Sequence, residues 1–121
     1  MNSGIDLIFS TTEEKETKAQ FKGQEVVIKT KEISWSEKNK ILSKCFNYQT
    51  DGQISFAFDL YNREMLKKIV SSIKIGDSQI PTTEINDILF SRLSPAFGAI
   101  LEKLVPKAFE EVQINDFFGK E

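Results

Sequence analysis

Apolar and polar residues alternate near the start of the chain, and further along the apolar ones recur at helical spacing. Residues 18–30 hold two runs, KAQFK and EVVIKT, on either side of Gly23 and Gln24. Because a tight turn needs a residue that tolerates positive φ, this pattern predicts a β-hairpin. Residues 1–17 are mostly polar after an apolar patch at residues 5–9, so we expect them to form a flexible lead.

Residues 34–46 have the signature of a first helix. Ser34 and Glu37 fit a capping box, in which Ser34 is the N-cap and Glu37 is the third helical residue. Apolar residues follow on one face at helical spacing. Because Trp35 comes just after the hairpin, we expect it to pack against the hairpin at the start of this helix.

The middle of the chain predicts a turn, an extended segment and a longer helix. Residues 50–52 (TDG) are typical of a turn, and in residues 53–58 (QISFAF) large apolar side chains alternate with small ones. That alternation fits either a third strand or an extended lead into the next helix. A wide apolar stripe then predicts a second helix from about residue 59 or 60 to residue 73, which a GDS turn at residues 76–78 ends.

The last third of the chain predicts two more helices. A third follows Pro81, and a fourth begins at Ser94 and Pro95, since Ser is a favoured N-cap and Pro a favoured first helical residue. Pro106 ends or kinks the fourth helix, and residues 107–112 are expected to add a further turn or two.

These elements give a predicted fold class of α+β, mainly α: an N-terminal β-hairpin followed by four or five short helices. The length of 121 residues, 40% apolar and 28% charged, agrees with one folded domain. We assign that domain to residues 18–110, between the flexible lead of residues 1–17 and a tail or short motif at residues 111–121.

Composition argues against several kinds of chemistry. The chain has no His, which removes the commonest general base and metal ligand, and its single Cys45 cannot form an internal disulfide. We expect Cys45 to be a small core residue. We find no phosphate loop and no nucleophile motif, and the net charge is −2. The sequence therefore predicts a non-enzymatic protein without metal or cofactor and without direct nucleic-acid contact.

The sequence also predicts a cytoplasmic protein, because no signal peptide and no apolar run of membrane-spanning length is present. Its ten phenylalanines and wide helical stripes suggest more apolar surface than a small domain hides. We expect the excess on the second and fourth helices to bind a protein partner and to promote self-association. The predicted binding residues are Ile69, Ile73, Phe97, Ile100, Leu101 and Leu104.

Four segments resemble the tail assembly chaperones of long-tailed viruses and prophages. They are residues 23–29 (GQEVVIK), 32–42 (EISWSEKNKIL), 58–70 (FDLYNREMLKKIV) and 97–106 (FGAILEKLVP). The resemblance lies in the order of a hairpin, a capped helix, a middle helix and a closing helix. It implies a helper that binds the largely apolar tape-measure protein and keeps it soluble in the host cytoplasm, with no catalytic residues.

The C-terminal tail supports a rival hypothesis. The stretch that begins at Glu111 resembles the sliding-clamp (PCNA) binding box, with Ile114, Phe117 and Phe118 at its apolar positions. Glu111 departs from that box, which has Gln there. This resemblance implies an accessory protein of DNA replication or repair. Two further interpretations stay open: Phe117 and Phe118 fold back and cover the helical core, or the chain is a host accessory subunit whose helical face joins a larger complex.

Overall fold

A computed structural model describes residues 4–109 and contains two antiparallel sheets and four α-helices. The strands and helices are β1 (Glu14–Phe21), β2 (Gln24–Lys31), α1 (Trp35–Cys45), β3 (Phe46–Tyr48), β4 (Ile54–Phe56), α2 (Phe58–Ile69), β5 (Val70–Ile75), β6 (Ser78–Ile80), α3 (Asp87–Ser91) and α4 (Pro95–Glu102). Short 3-10 helices lie at Gly4–Ile8 and Thr82–Glu84. The larger sheet has the order β1-β2-β5-β6, and β3 pairs with β4 alone.

The predicted N-terminal hairpin is confirmed, and it is longer than the pattern indicated. Strands β1 and β2 pair in register from Glu14 with Lys31 to Phe21 with Gln24. The connecting residues Lys22 and Gly23 both have positive φ, as a two-residue hairpin turn requires. Residues 14–17, which were assigned to the flexible lead, therefore belong to the sheet.

The first helix begins as predicted, but its tryptophan does not pack as predicted. The Ser34 hydroxyl accepts a hydrogen bond from the Glu37 backbone N–H at 3.2 Å, which confirms the cap. The Trp35 side chain is 82% exposed, so the expectation that it packs against the hairpin is wrong. Trp35 is the first residue of α1 and lies on the solvent side of its first turn, as the exposed Ser36 does.

The predicted fold class is wrong, because the second helix stops at Ile69 and the chain continues directly into β5. Strand β5 pairs with β2, and Gly76, with φ of +57°, lies in the turn to β6. The protein is α+β with substantial sheet, not mainly α with one hairpin. In place of the last predicted turn of the second helix, the chain forms one of the two inner strands of a four-stranded sheet.

A β-bulge explains why the sequence suggested a helix here. The pairing of β2 with β5 shifts register between Lys29 and Thr30, so Ser71 has no strand partner. Its hydroxyl donates to the Lys29 carbonyl at 3.1 Å. With one extra residue between them, Val70 and Ile73 both face the core at a spacing of three, which imitates helical periodicity.

The remaining helices begin at capped positions. The Asn86 side chain accepts hydrogen bonds from the first turn of α3, which starts later than the third helix predicted after Pro81. Ser94 caps α4 through its contact with the Phe97 N–H at 3.2 Å, and Pro95 is the first helical residue, as predicted.

Two apolar cores hold these elements together. The first core lies between one face of the larger sheet and the helices α2 and α4, and its buried members are Val26, Ile28, Leu66, Ile69, Val70, Ile73, Ile85, Phe97 and Leu101. The second lies between α1 and α2 and contains Ile41, Cys45, Tyr61 and Met65. Helix α2 contributes to both. The other face of the larger sheet is polar, and Glu14 and Glu16 of β1 lie opposite Lys31 and Lys29 of β2.

Candidate protein-binding surface

The small β3–β4 sheet displays one apolar face. Its register pairs Phe46 with Phe56 and Tyr48 with Ile54. Since side chains alternate between the faces of a strand, these four residues share one face. Phe46 and Phe56 are half-buried and Phe56 packs against the second core, whereas Tyr48 and Ile54 are 76% and 60% exposed. The hairpin therefore carries apolar side chains outward from the core into solvent.

Further rings extend this face. Phe56 is the central ring, with centroid distances of 5.1 Å to Phe46, 4.8 Å to Phe58 and 5.0 Å to Phe109. All three contacts are edge-to-face, a favourable geometry for aromatic pairs. Phe58 and Phe109 are themselves more than half exposed. We call Phe46, Tyr48, Ile54, Phe56, Phe58 and Phe109 the aromatic surface.

Backbone hydrogen bonds hold the tip of the hairpin in one conformation. The Gln49 N–H donates to the Gln53 carbonyl at 2.8 Å, and the Gly52 N–H donates to the Gln49 carbonyl at 3.0 Å. The Asp51 carboxylate accepts from the Gln53 N–H at 3.0 Å, and Gly52 supplies a φ of +86°. This is the turn that the sequence predicted at residues 50–52. Tyr48 and Ile54 are thus displayed from an ordered turn.

A shallow cavity of about 420 Å³ continues the aromatic surface. It lies between the start of α2 and the turn after α4, and both Phe58 and Phe109 line it. The hydroxyl of the buried Tyr61 donates to the Pro106 carbonyl at 2.7 Å and holds the two walls together. The aromatic surface therefore has a recess at one side, which suits a protruding apolar side chain of a partner.

A second exposed apolar group lies at the N-terminal end. Leu7, Ile8 and Phe9 and the exposed Trp35 line a cavity of about 560 Å³. Charged side chains, among them Glu13 and Lys38, line the same cavity. These apolar side chains make none of the ring contacts that order the aromatic surface, so they form a weaker candidate for binding.

The predicted binding residues do not form an exposed surface. Ile69, Ile73, Phe97 and Leu101 are buried in the first core, and Ile100 and Leu104 are half-buried against it. Ile73 also lies in β5 and not in a helix. Their helical stripes were wide because the larger sheet, which was not predicted in full, covers them. The C-terminal motif of Ile114, Phe117 and Phe118 lies outside the described residues.

The sequence indicates one strand of the aromatic surface but not its partner. Ile54, Phe56 and Phe58 alternate with small residues, whereas Phe46 falls within the helical pattern of residues 34–46. Helix α1 ends at Cys45, and β3 follows without a connecting loop. Three-residue strands are too short to be identified by periodicity alone.

Ion pairs cover the outer side of α1, α2 and α3. Lys67 Nζ lies 2.6 Å from Glu64 Oε2 and 3.2 Å from Asp87 Oδ2, and Arg63 contacts Asp59 at 3.1 Å. The hydrogen bond from Lys67 lowers the pKa of the Glu64 carboxyl and raises the pKa of Lys67 itself. Helix α2 therefore carries ion pairs on one side, and its first residue, Phe58, belongs to the aromatic surface.

The described residues offer little for metal or thiol chemistry. Cys45 is fully buried, as expected, and burial raises the pKa of its thiol. Across residues 4–109, no three His, Cys, Asp or Glu side chains are grouped so as to hold a metal ion. In the same part of the chain, no helix is long and apolar enough to cross a bilayer.

Comparisons with protein-family models, curated proteins and solved structures gave no match. The resemblance to tail assembly chaperones therefore rests on the sequence segments alone. The exposed aromatic surface is the strongest structural indication of what the protein does.

Proposed function

We propose that this chain is a non-catalytic helper that binds an apolar helical segment of another protein through the aromatic surface. In its most specific form, it is a tail assembly chaperone that keeps a tape-measure protein soluble in the cytoplasm of the host cell. The observation that carries the proposal is the display of Tyr48, Ile54, Phe58 and Phe109 in solvent on an ordered base.

The order of the rings favours binding over simple exposure. Phe56 contacts three neighbouring Phe rings and the ring of Tyr61, so most of the surface is fixed before a partner arrives. A fixed surface loses little side-chain entropy on binding. Burial of apolar area contributes about 25 cal/mol per Å². A few such side chains therefore hold an apolar helix without any specific polar contact.

The shape suits a helix better than an extended peptide. An amphipathic helix presents apolar side chains at positions i, i+3, i+4 and i+7, a strip that lies across a flat apolar face. The aromatic surface supplies that face, and the recess between Phe58 and Phe109 accepts one anchoring side chain. The tape-measure protein, as the resemblance describes it, is a long and largely apolar helical polypeptide with many such strips.

The test is co-expression of the full-length chain with the tape-measure protein encoded next to it. We expect the wild type to keep that protein soluble and the double variant Tyr48→Lys with Ile54→Lys to fail. Ile88→Lys is the matched control, because Ile88 is also an exposed apolar residue but lies on α3, away from the aromatic surface. If the tape-measure protein is equally soluble with the wild type and with the double variant, the aromatic surface is not the binding surface. If the wild type does not improve its solubility, the proposal is rejected.

The sliding-clamp hypothesis predicts a different response. Binding to a clamp would depend on Ile114, Phe117 and Phe118 and would survive the substitutions at Tyr48 and Ile54. A pull-down of the clamp with the full-length chain, and with Phe117→Ala combined with Phe118→Ala, separates the two functions. Loss of clamp binding in that variant, with no effect of any form on the tape-measure protein, would replace the chaperone proposal.

A further inference from the structure

Strand β1 is an edge strand of eight residues, from Glu14 to Phe21. Within residues 4–109, β2 lies on one side of β1 and no strand lies on the other. The opposite edge of the sheet, β6, has only three residues. A long edge strand presents a row of backbone donors and acceptors that another strand can pair with.

The hairpin turn determines which backbone groups point outward. The residues that flank a two-residue turn, here Phe21 and Gln24, form a hydrogen-bonded pair, and such pairs alternate along an antiparallel ladder. The odd-numbered residues of β1 therefore bond to β2. The N–H and C=O groups of Glu14, Glu16, Lys18 and Gln20 face the free edge.

The described part of the N-terminal lead, residues 4–13, does not cover this edge. The Thr11 N–H donates to Glu32 Oε1 at 2.8 Å, which holds the lead beyond the end of β2. Leu7 lines a cavity together with Trp35 and Leu104, on the side of β2 and the helices. Residues 7–13 thus turn away from the unpaired edge.

The charges of β1 select one way of pairing it with a second β1. If two strands pair antiparallel with Thr17 facing Thr17, Glu16 of each lies opposite Lys18 of the other, and no like charges face each other. Centring the pair on Lys15, Glu16 or Lys18 places like charges opposite each other, which is unfavourable. Centring it on Ala19 shortens the overlap and forms no ion pair.

The favoured register also satisfies the backbone. It makes Glu16 with Lys18, and Glu14 with Gln20, the hydrogen-bonded pairs, and these are the residues whose backbone groups face outward. Alternating charge on an edge strand protects it against indiscriminate pairing. In β1 these charges repel each other in the registers centred on Lys15, Glu16 and Lys18. In the register centred on Thr17 they attract each other.

We propose that two copies of this chain pair through β1 about a two-fold axis at Thr17. The two four-stranded sheets then form one continuous sheet of eight strands. The aromatic surface lies on other elements, β3, β4 and the start of α2, so each copy keeps it free. This dimer does not depend on the proposed function.

Cysteine cross-linking tests the register directly. Facing residues of a non-hydrogen-bonded antiparallel pair lie about 4.5 Å apart between their Cα atoms, within the range of a disulfide. Under mild oxidation, Thr17→Cys should form a covalent dimer. Gln20→Cys is the control, because the two copies of residue 20 lie several residues apart along the strands, and it should stay monomeric on denaturing gels. Native Cys45 is fully buried and serves as an internal blank.

A charge exchange tests the ion pairs in solution. Lys18 faces Val27 within its own sheet and forms no ion pair among residues 4–109, so Lys18→Glu disturbs none there. The variant turns both intermolecular pairs of residues 16 and 18 into like-charge pairs. It should raise the Kd of the dimer about tenfold, as measured by sedimentation. Adding Glu16→Lys restores opposite charges between the copies, and Lys29→Glu is added with it because Glu16 faces Lys29 within the hairpin. This triple variant should restore the Kd. A wild type that stays monomeric over the whole concentration series, equal cross-linking of Thr17→Cys and Gln20→Cys, or no recovery in the triple variant overturns the proposal.

Discussion

At the scale of single residues, Glu64 and Lys67 form the shortest ion pair within residues 4–109, 2.6 Å between Lys67 Nζ and Glu64 Oε2. Both side chains are mostly covered, with 17% and 29% of their surface exposed. Partial burial reduces the screening that makes most surface ion pairs weak. This pair joins neighbouring turns of α2, and Lys67 continues to Asp87 of α3 at 3.2 Å.

This pair should give the protein a stability that depends on pH. The pKa of Glu64 is lowered on folding, so its contribution is present above the ordinary Glu pKa and is lost as pH falls through the folded value. The pKa of Lys67 is raised, so its contribution is present below the ordinary Lys pKa and is lost as pH rises through the folded value. The ion pair therefore contributes fully to stability at pH values between the ordinary pKa of Glu and the ordinary pKa of Lys.

We expect Glu64→Gln to lower the free energy of unfolding at neutral pH by about 0.5–1 kcal/mol. The difference from wild type should vanish in acid, where Glu64 is protonated in both states. Urea unfolding at several pH values measures both effects. Glu102→Gln, at an exposed position at the end of α4, is the control and should match the wild type throughout.

Trp35 gives a second prediction at this scale. A core tryptophan would cost about 3–5 kcal/mol on truncation to Ala. Because Trp35 is exposed and only the first residue of α1, we expect Trp35→Ala to change the free energy of unfolding by less than about 1 kcal/mol. Its fluorescence should also report solvent exposure in the native state. A large fall in melting temperature would show that the indole packs against the protein.

At the scale of elements, local sequence signals predicted the first residue of a helix or strand well. They predicted less well whether a segment is a helix or a strand. Ser34, Ser94 and Gly23 each act through their own backbone or side chain, and the elements that they start are confirmed. The identity of β5 depends on partners far along the chain, and its bulge at Ser71 imitates a helical pattern. Only the pairing with β2 decides between the two structures, and that pairing is not visible in a local window.

The same distinction explains the outcome for the candidate site. Burial of Ile69 and Phe97 requires the larger sheet, so the stripes looked exposed as long as only one hairpin was expected. The aromatic surface, by contrast, needs only two three-residue strands, and their residues stand close together in the sequence. Apolar residues alternate on both sides of the TDG turn at residues 50–52, and this local pattern groups Phe46, Tyr48, Ile54 and Phe56.

Two glycines test the element boundaries. Gly76 has φ of +57° in the turn between β5 and β6, so Gly76→Ala should destabilise the protein by about 1 kcal/mol. A Cβ there would also meet the flexible end of the Gln24 side chain, which can move away. Gly98 lies inside α4 with open space where a Cβ would lie, so Gly98→Ala should stabilise by about 0.5–1 kcal/mol. Thermal unfolding of both variants should show shifts of opposite sign, and a neutral Gly76→Ala would contradict the turn.

At the scale of the whole molecule, α2 is the wall shared by both cores. Tyr61 and Met65 pack towards α1, and Leu66 and Ile69 pack towards the sheet. Ile33 and Val105 contact both cores from the ends of other elements. Because both cores pack against the same helix, α2, loosening one core removes support from the other. The aromatic surface stands on the second core, so its order depends on the whole fold.

Met65→Ala tests this coupling. Met65 is fully buried in the second core, and its truncation should lower the free energy of unfolding by about 2–5 kcal/mol. If α2 couples the cores, the slowest-exchanging amides of β2 in the first core and of α1 in the second should lose protection by the same amount in hydrogen exchange. Ile88→Ala, at an exposed position on α3, is the control and should change neither set. Loss of protection in α1 with β2 unchanged would mean that the cores unfold separately, and the base of the aromatic surface could then loosen while the larger sheet stays folded.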